Sequence, residues 1–172
     1  MNSMIENRLE SPDKKYIFLD IDDVLVTTRQ HFSKKLHPKY QTHHFDQKCV
    51  IILNDIIQKT NPIIILSSDW KFHYTLDELN EIFKDNGVES KITDITPSLW
   101  GVKFFKLSEL EECRAWEIIQ YVNEHKIQNF VAVDDLNLRD WLPDNFVHCT
   151  RSNEGIKQTY VKEKILKVLN NQ

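Results

Sequence analysis

Apolar and polar positions fall into short, regularly alternating blocks along this chain. The first block, Tyr16 to Leu19, has the aromatic and β-branched types that suit a buried strand, and it delivers Asp20, Asp22 and Asp23. Residues 27 to 45 are polar, rich in His and Lys and without period, which predicts a loop or small flap. From Asp46, a good N-cap, Val50, Leu53, Ile56 and Ile57 recur at helical spacing up to Thr60, and Asn61-Pro62 closes the helix. Ile63 to Leu66 is wholly apolar and too short for a helix, so it reads as a central strand running into Ser67, Ser68 and Asp69. Asp69 is the expected cap of the helix that follows.

Further on, Leu76, Leu79, Ile82 and Phe83 share one face of a predicted helix over 75–86, stopped by Asn86-Gly87. Ile92 to Ile95 reads as a short strand. Residues 109–125 predict an amphipathic helix with Leu110, Cys113, Trp116, Ile119, Tyr121 and Val122 mostly on one side. Asn129 to Val133 is the third clear strand and ends on Asp134-Asp135. Phe146 to His148 predicts a last strand, and a terminal helix is expected within 153–170, from Gly155 to Leu169. Strands alternating with helices call for an α/β domain, a parallel sheet covered on both faces. Parallel strands present their carboxyl ends on one edge, where such folds bind ligands, so the three polar clusters meet in one crevice.

Composition narrows this picture. With 172 residues, the expectation is a single domain with its catalytic core over 15–150 and, at 27–45, at most a small flap. A formal net charge of −4, with both signs interleaved, gives no overall basic field for nucleic acid, though a local patch stays open. Cys49, Cys113 and Cys149 are odd in number and lack CxxC spacing, so a disulfide framework is not signalled and a reducing, cytoplasmic location is expected. No run approaches the ~18 apolar residues of a membrane span. The three glycines, Gly87, Gly101 and Gly155, exclude glycine-rich phosphate loops, so a bound phosphate must be held by side chains, a metal and a few amides.

Chemistry therefore rests on the carboxylates. Asp20 and Asp22 repel one another unless a cation neutralises them, and oxygen-only ligands from two strands suit Mg²⁺. Taken singly, each cluster has an ordinary explanation. A lone DxD is a weak signal, Asp134-Asp135 could cap a helix, and Ser67 or Ser68 could cap the helix that follows. Arg114 could pair on its own helix with Glu111 and Glu117. His31, His37, His43 and His44 lack matching ligands for zinc, and Trp70, Phe72 and Tyr74 suit either packing or stacking of a base. The order of the clusters argues against a response-regulator receiver, whose phosphoacceptor sits on a middle strand; here the middle strand ends in Ser67-Ser68-Asp69 and the double acid comes late.

From Tyr16 to Val147 the chain resembles the haloacid dehalogenase-like (HAD) hydrolase superfamily. Asp20-Ile21-Asp22-Asp23-Val24-Leu25 matches its first motif, Ser67 its second and Asp134-Asp135 its fourth. FLDIDDVL with ILSSDW, ITPS, RAWEI and VAVDDL is similar to the small branch that includes domains of RNA-repair proteins. The resemblance implies a three-layer Rossmann-like fold with a minimal cap and a Mg²⁺-dependent phosphatase working through an aspartyl-phosphate. Asp20 would be the nucleophile and Asp22 the general acid and base. Ser67, Ser68 and Arg114 would bind the phosphoryl group, with Lys103 and Lys106 as alternatives to Arg114. Asp20, Asp22 through its carbonyl, Asp134 and Asp135 would serve the metal, with Asp23 expendable. The substrate is expected to be phosphorylated, either a nucleotide, a nucleic-acid end or a small metabolite such as a sugar phosphate. A non-catalytic binding module on the same fold is the competing class.

Overall fold

The computed structural model describes residues 14–99 and 107–170. Lys103 and Lys106 lie outside them. Five parallel strands form one sheet in the order β3-β2-β1-β4-β5: β1 Lys15–Leu19, β2 Ile63–Leu66, β3 Ile92–Ile95, β4 Asn129–Asp134 and β5 Phe146–His148. All five lie where the apolar runs predict them. A receiver-like sheet would run 2-1-3-4-5; this one reverses direction between β1 and β4. That gap is the crevice in which ligands of open α/β sheets bind.

The two-residue period of β1 sorts the core into two layers. Ile17 and Leu19 face one way, with Ile64, Leu66, Val131 and Val133, onto the helices α2 Gln47–Thr60, α3 Leu76–Asp85 and α5 Val161–Asn170. Tyr16 and Phe18 face the other way, with Ile65 and Ala132, onto α4 Leu107–Glu124. Local signals set the helix ends. Asp46 accepts from the Lys48 amide at the start of α2, and Thr75 and Glu78 form a reciprocal capping box at the start of α3. Asn61 and Gly87 take positive φ beyond the last turns.

Three expectations are corrected. Residues 27–45, expected without secondary structure, contain the short helix α1 Thr28–His31 and an antiparallel bridge between Leu36 and His43. His37 is buried, its Nδ1 accepting from the Lys39 and Tyr40 amides, which leaves Nε2–H to donate to Asp85 of α3 at 3.1 Å. Lys39 and Tyr40 both bind Glu81, so the segment is tied back onto α3.

The second correction concerns α4. Trp116, expected on the buried face, is 47% exposed, while Arg114 and Glu117 point inward with Ala115, Ile118 and Tyr121. Burying two charges is tolerated because each meets an opposite charge. Glu117 receives Lys71 Nζ at 2.6 Å and the Leu99 amide at 3.0 Å. Lys71 also donates to Thr96 Oγ1 and the Pro97 carbonyl.

Third, the terminal helix starts at Val161 instead of Gly155. Residues Gly155–Lys157 form a separate 3₁₀ turn, and positive φ at Gly155 (56°) and Tyr160 (70°) interrupts any continuous helix. Gly155 is required where it stands. A Cβ there would lie 2.3 Å from the Val24 carbonyl oxygen, and the neighbouring Ile156 amide donates to that same oxygen. The turn thereby props the loop that follows β1.

Candidate active site

Two acids and a serine stand at the carboxyl ends of the three central strands. Asp20 follows β1, its amide donating to Val133 of β4; Ser67 follows β2, its amide donating to Leu19 of β1; Asp134 ends β4. The sheet register alone thus brings three sequence-distant residues to one place. Asp20, Asp134 and Asp135 each offer a carboxylate oxygen, all within 4.8 Å of one another. Arg114 reaches this group from the inner face of α4. Its Nη1 donates to Asp134 Oδ2 at 2.7 Å and lies 3.4 Å from Asp20 Oδ1, while Nη2 donates to Asp69 Oδ1 at 2.7 Å.

Arg114 is therefore no surface partner of Glu111 or Glu117. Glu111 instead accepts from the Asn137 amide, and Glu117 belongs to Lys71. Asp69, expected as a cap, sits inside the first turn of the 3₁₀ helix Asp69–Phe72 and holds Arg114 instead. The cap is Ser68, whose hydroxyl accepts from the Trp70 amide. That use ties Ser68 to local structure, whereas Ser67, 1% exposed, has a hydroxyl without any hydrogen-bond partner among the described residues. A buried hydroxyl left unpaired costs free energy, on the order of 1–3 kcal/mol, and such a vacancy in a polar crevice suits an oxygen-bearing ligand.

The charges at the crevice floor do not balance. Three carboxylates face one guanidinium, and burial together with mutual repulsion raises the pKa of Asp134 and of Asp135. Asp135 lies against Asp20 in this group, and the neighbouring Asp20 and Asp134 charges add to burial in raising its pKa. The donor set fits a hard divalent cation: oxygen ligands only, clustered, with surplus negative charge that a proton otherwise relieves. Arg114 is held in its charged form by Asp134, Asp20 and Asp69, against the effect of its burial.

Asp22 lies apart from that cluster. Its side chain is 48% exposed, and Oδ2 accepts from the Trp70 indole N–H at 2.8 Å. His31 Nε2 stands 3.8 Å from Asp22 and 3.6 Å from Asp23. Partial burial raises the Asp22 pKa, opposed by the Trp70 bond and reinforced by the Asp20 charge. Asp23 takes a left-handed backbone (φ 53°), a conformation that favours Gly and is tolerated by Asp.

Sequence reasoning missed several members of this site. Trp70 has a use beyond packing, because it orients Asp22. Asp69 anchors Arg114. His148 donates from Nε2 to the Asp135 carbonyl at 2.7 Å, fixing the backbone that carries the double acid. The only advance signal was proximity in sequence to the polar clusters. His31 and His43 form one ring pair and His37 and His44 another, and among the described residues no histidine joins a cluster able to hold a metal.

A parallel sheet of this order, with an acid after the first strand, serine after the second and a double acid after the fourth, defines the HAD hydrolase type of α/β fold. The chain belongs to the family described as the HAD domain in Swiss Army Knife RNA repair proteins, which matches residues 16–161. No curated protein and no solved structure matches it. No helix among the described residues is long and apolar enough to cross a membrane.

Proposed function

We propose that the protein is a Mg²⁺-dependent phosphatase that hydrolyses phosphate monoesters through an aspartyl-phosphate on Asp20. The observation that carries this reading is the unpaired, buried Ser67 hydroxyl at the end of β2, the strand next to the one that delivers Asp20. A free hydroxyl and a carboxylate at adjacent strand ends, with a buried guanidinium against that carboxylate, suit a phosphoryl group better than a neutral ligand.

An Asp20 oxygen attacks phosphorus as the ester P–O bond breaks, and Asp22 gives its proton to the leaving oxygen. The Asp22 carboxylate then takes a proton from water, which attacks the same phosphorus, releases phosphate and restores Asp20. Trp70 holds Asp22 at the rim, where it meets the leaving group and afterwards water. Arg114 keeps Asp20 and Asp134 in register and offsets the charge that builds on the phosphoryl oxygens. Mg²⁺, held by Asp20, Asp134, Asp135 and the Asp22 carbonyl, would neutralise phosphate charge that the Arg114 guanidinium alone leaves uncovered.

The half-exposed Asp22 and the anchoring of residues 32–45 to α3 support a rim open to large substrates. The family description supports a nucleic-acid end among them.

Two substitutions test the assignment. Asp20→Asn is expected to abolish Mg²⁺-dependent turnover of every phosphate ester. Asp22→Asn should slow alkyl phosphates about 10²–10⁴-fold while affecting aryl phosphates far less, because a phenolate leaves without a proton. Equal losses on both ester types would remove Asp22 from its role. A clean, metal-loaded protein inactive on nucleotides, sugar phosphates and phosphorylated oligonucleotides would favour the binding module instead.

A further inference from the structure

One strand away from the double acid, the outer edge of the sheet opens into a second hollow. β5 pairs with β4 on one side, with His148 in register with Asp134, and borders on its other side a polar cavity of about 480 Å³ closed by the residues leading into α5. Arg139, His148, Arg151 and Lys164 line it, and no acidic side chain does. In a chain whose acids outnumber its bases, 26 to 22, such a lining is a local reversal of charge. Arg151 pairs with Glu154, but Arg139 and Lys164 have no ion-pair partner among the described residues. The lysines just beyond contrast with them: Lys157 is paired with Asp46 and Lys162 with Asp55.

Tyr160 forms one wall of the same hollow. It is 69% exposed, and its backbone sits in the left-handed region at φ 70°, where a bulky L-residue is strained. Packing does not explain a large aromatic held there, since most of its surface faces solvent. A strained, exposed aromatic kept on the wall of a polar hollow points to use of its ring. The hollow also connects physically to the first site. His148 bonds the Asp135 carbonyl, Ser152 bonds Thr28, and Ile156 bonds Val24 in the loop after β1.

We infer that this cavity seats single-stranded polynucleotide: Arg139 and Lys164 meet the backbone phosphates, Tyr160 stacks a base, and the strand leads from there to its phosphorylated end at Asp20. Bases without acidic partners beside an exposed aromatic are the two elements that sequence-tolerant single-strand binding requires. The inference rests on the phosphatase reading for the direction of the strand, but not for the binding itself.

Fluorescence anisotropy of 3′- and 5′-phosphorylated single-stranded RNA 12-mers on the full chain tests it, with p-nitrophenyl phosphate turnover measured in parallel. Arg139→Glu with Lys164→Glu is expected to weaken binding at least tenfold and flatten its salt dependence by about 0.7 in slope for each phosphate no longer neutralised. Tyr160→Gly, which also relieves the backbone, should weaken binding several-fold with the salt slope unchanged. Turnover of the small ester should stay within twofold in both. Should the double variant fail to fold, Arg139→Gln and Lys164→Gln, tested singly, are each expected to lose about threefold. Unchanged RNA affinity in these variants, or no binding by the wild type, overturns the inference. So does competition by polyglutamate as strong as by unlabelled RNA, which would mark a general polyanion surface. Groove-dependent binding without any ester hydrolysis supports the cavity and sinks the phosphatase reading; hydrolysis with groove-independent binding does the reverse.

Discussion

Asp20 and Asp22 are two residues apart on one strand exit, yet they meet different surroundings. Asp20 is buried on the crevice floor with Asp134 and Asp135, and Arg114 is the cation there. Asp22 stands at the rim, half in water, with an indole N–H and an imidazole for neighbours. A buried carboxylate cluster is stable only while its charge is matched, so the floor is built for a cation and for holding a nucleophile still. A half-hydrated carboxyl exchanges protons with solvent, which suits an acid that must reload every cycle. The difference in burial, more than the difference in residue type, divides the labour.

The largest expected effect breaks the floor. Arg114→Met removes the one guanidinium facing three acids and should destabilise the metal-free protein by about 3–5 kcal/mol, as removal of one partner from a buried charge group does. Turnover should vanish with it. Urea unfolding, with and without Mg²⁺, measures the first: added Mg²⁺ should recover more stability in Arg114→Met than it adds to the wild type. A variant as stable as wild type without metal would show that the floor does not depend on its guanidinium.

That floor is also where the sequence was most legible. Short apolar runs located all five strands, and parallel pairing alone carries Asp20, Ser67 and Asp134 to one edge. What was not legible has a common physical cause. Helical periodicity ranks Arg114 and Glu117 as outward charges, so only the family resemblance put Arg114 at the site, and three-dimensional partners, Asp134 and Lys71, make both inward. His37 gave no periodic signal because it is buried by a turn that folds back on α3. Tyr160 carries nothing in its type to announce a left-handed backbone, so the break before α5 stayed hidden although Gly155 was in view. The rim, built from Trp70, His31 and Asp23, depends on such tertiary partners more than the floor does, and it was correspondingly harder to read.

A smaller effect sharpens the contrast through pH. The pKa values of Asp134 and Asp135 are raised by burial and mutual repulsion in the metal-free fold, so these groups bind protons more tightly folded than unfolded. Their contribution to stability is complete below the unfolded value, about 4, and is lost as pH rises through the raised, folded values into the neutral range. Each pKa unit corresponds to about 1.4 kcal/mol, or roughly 3–6 °C in melting temperature for a chain of this size. Melting curves in chelator should therefore fall between mildly acidic and neutral pH, and saturating Mg²⁺ should flatten them. A metal-free protein that grows more stable over that interval would contradict the charge imbalance at the floor.

The smallest effect concerns the rim. Asp23→Gly relieves a left-handed backbone, worth about 1 kcal/mol or less for Asp, and adds unfolded-state freedom of roughly 0.5–1 kcal/mol. The two nearly cancel, so the melting temperature should hardly move. The charge does not cancel: Asp23 helps to raise the Asp22 pKa, and its removal lets Asp22 ionise at lower pH. Since Asp22 donates its proton only when protonated, the alkaline limb of kcat on an alkyl phosphate should shift toward acid. On an aryl phosphate the limb should stay where it is, because that leaving group takes no proton. A shift on both substrates would mean that Asp23 acts through the floor and not the rim, erasing the distinction between the two carboxylates that the fold sets two residues apart.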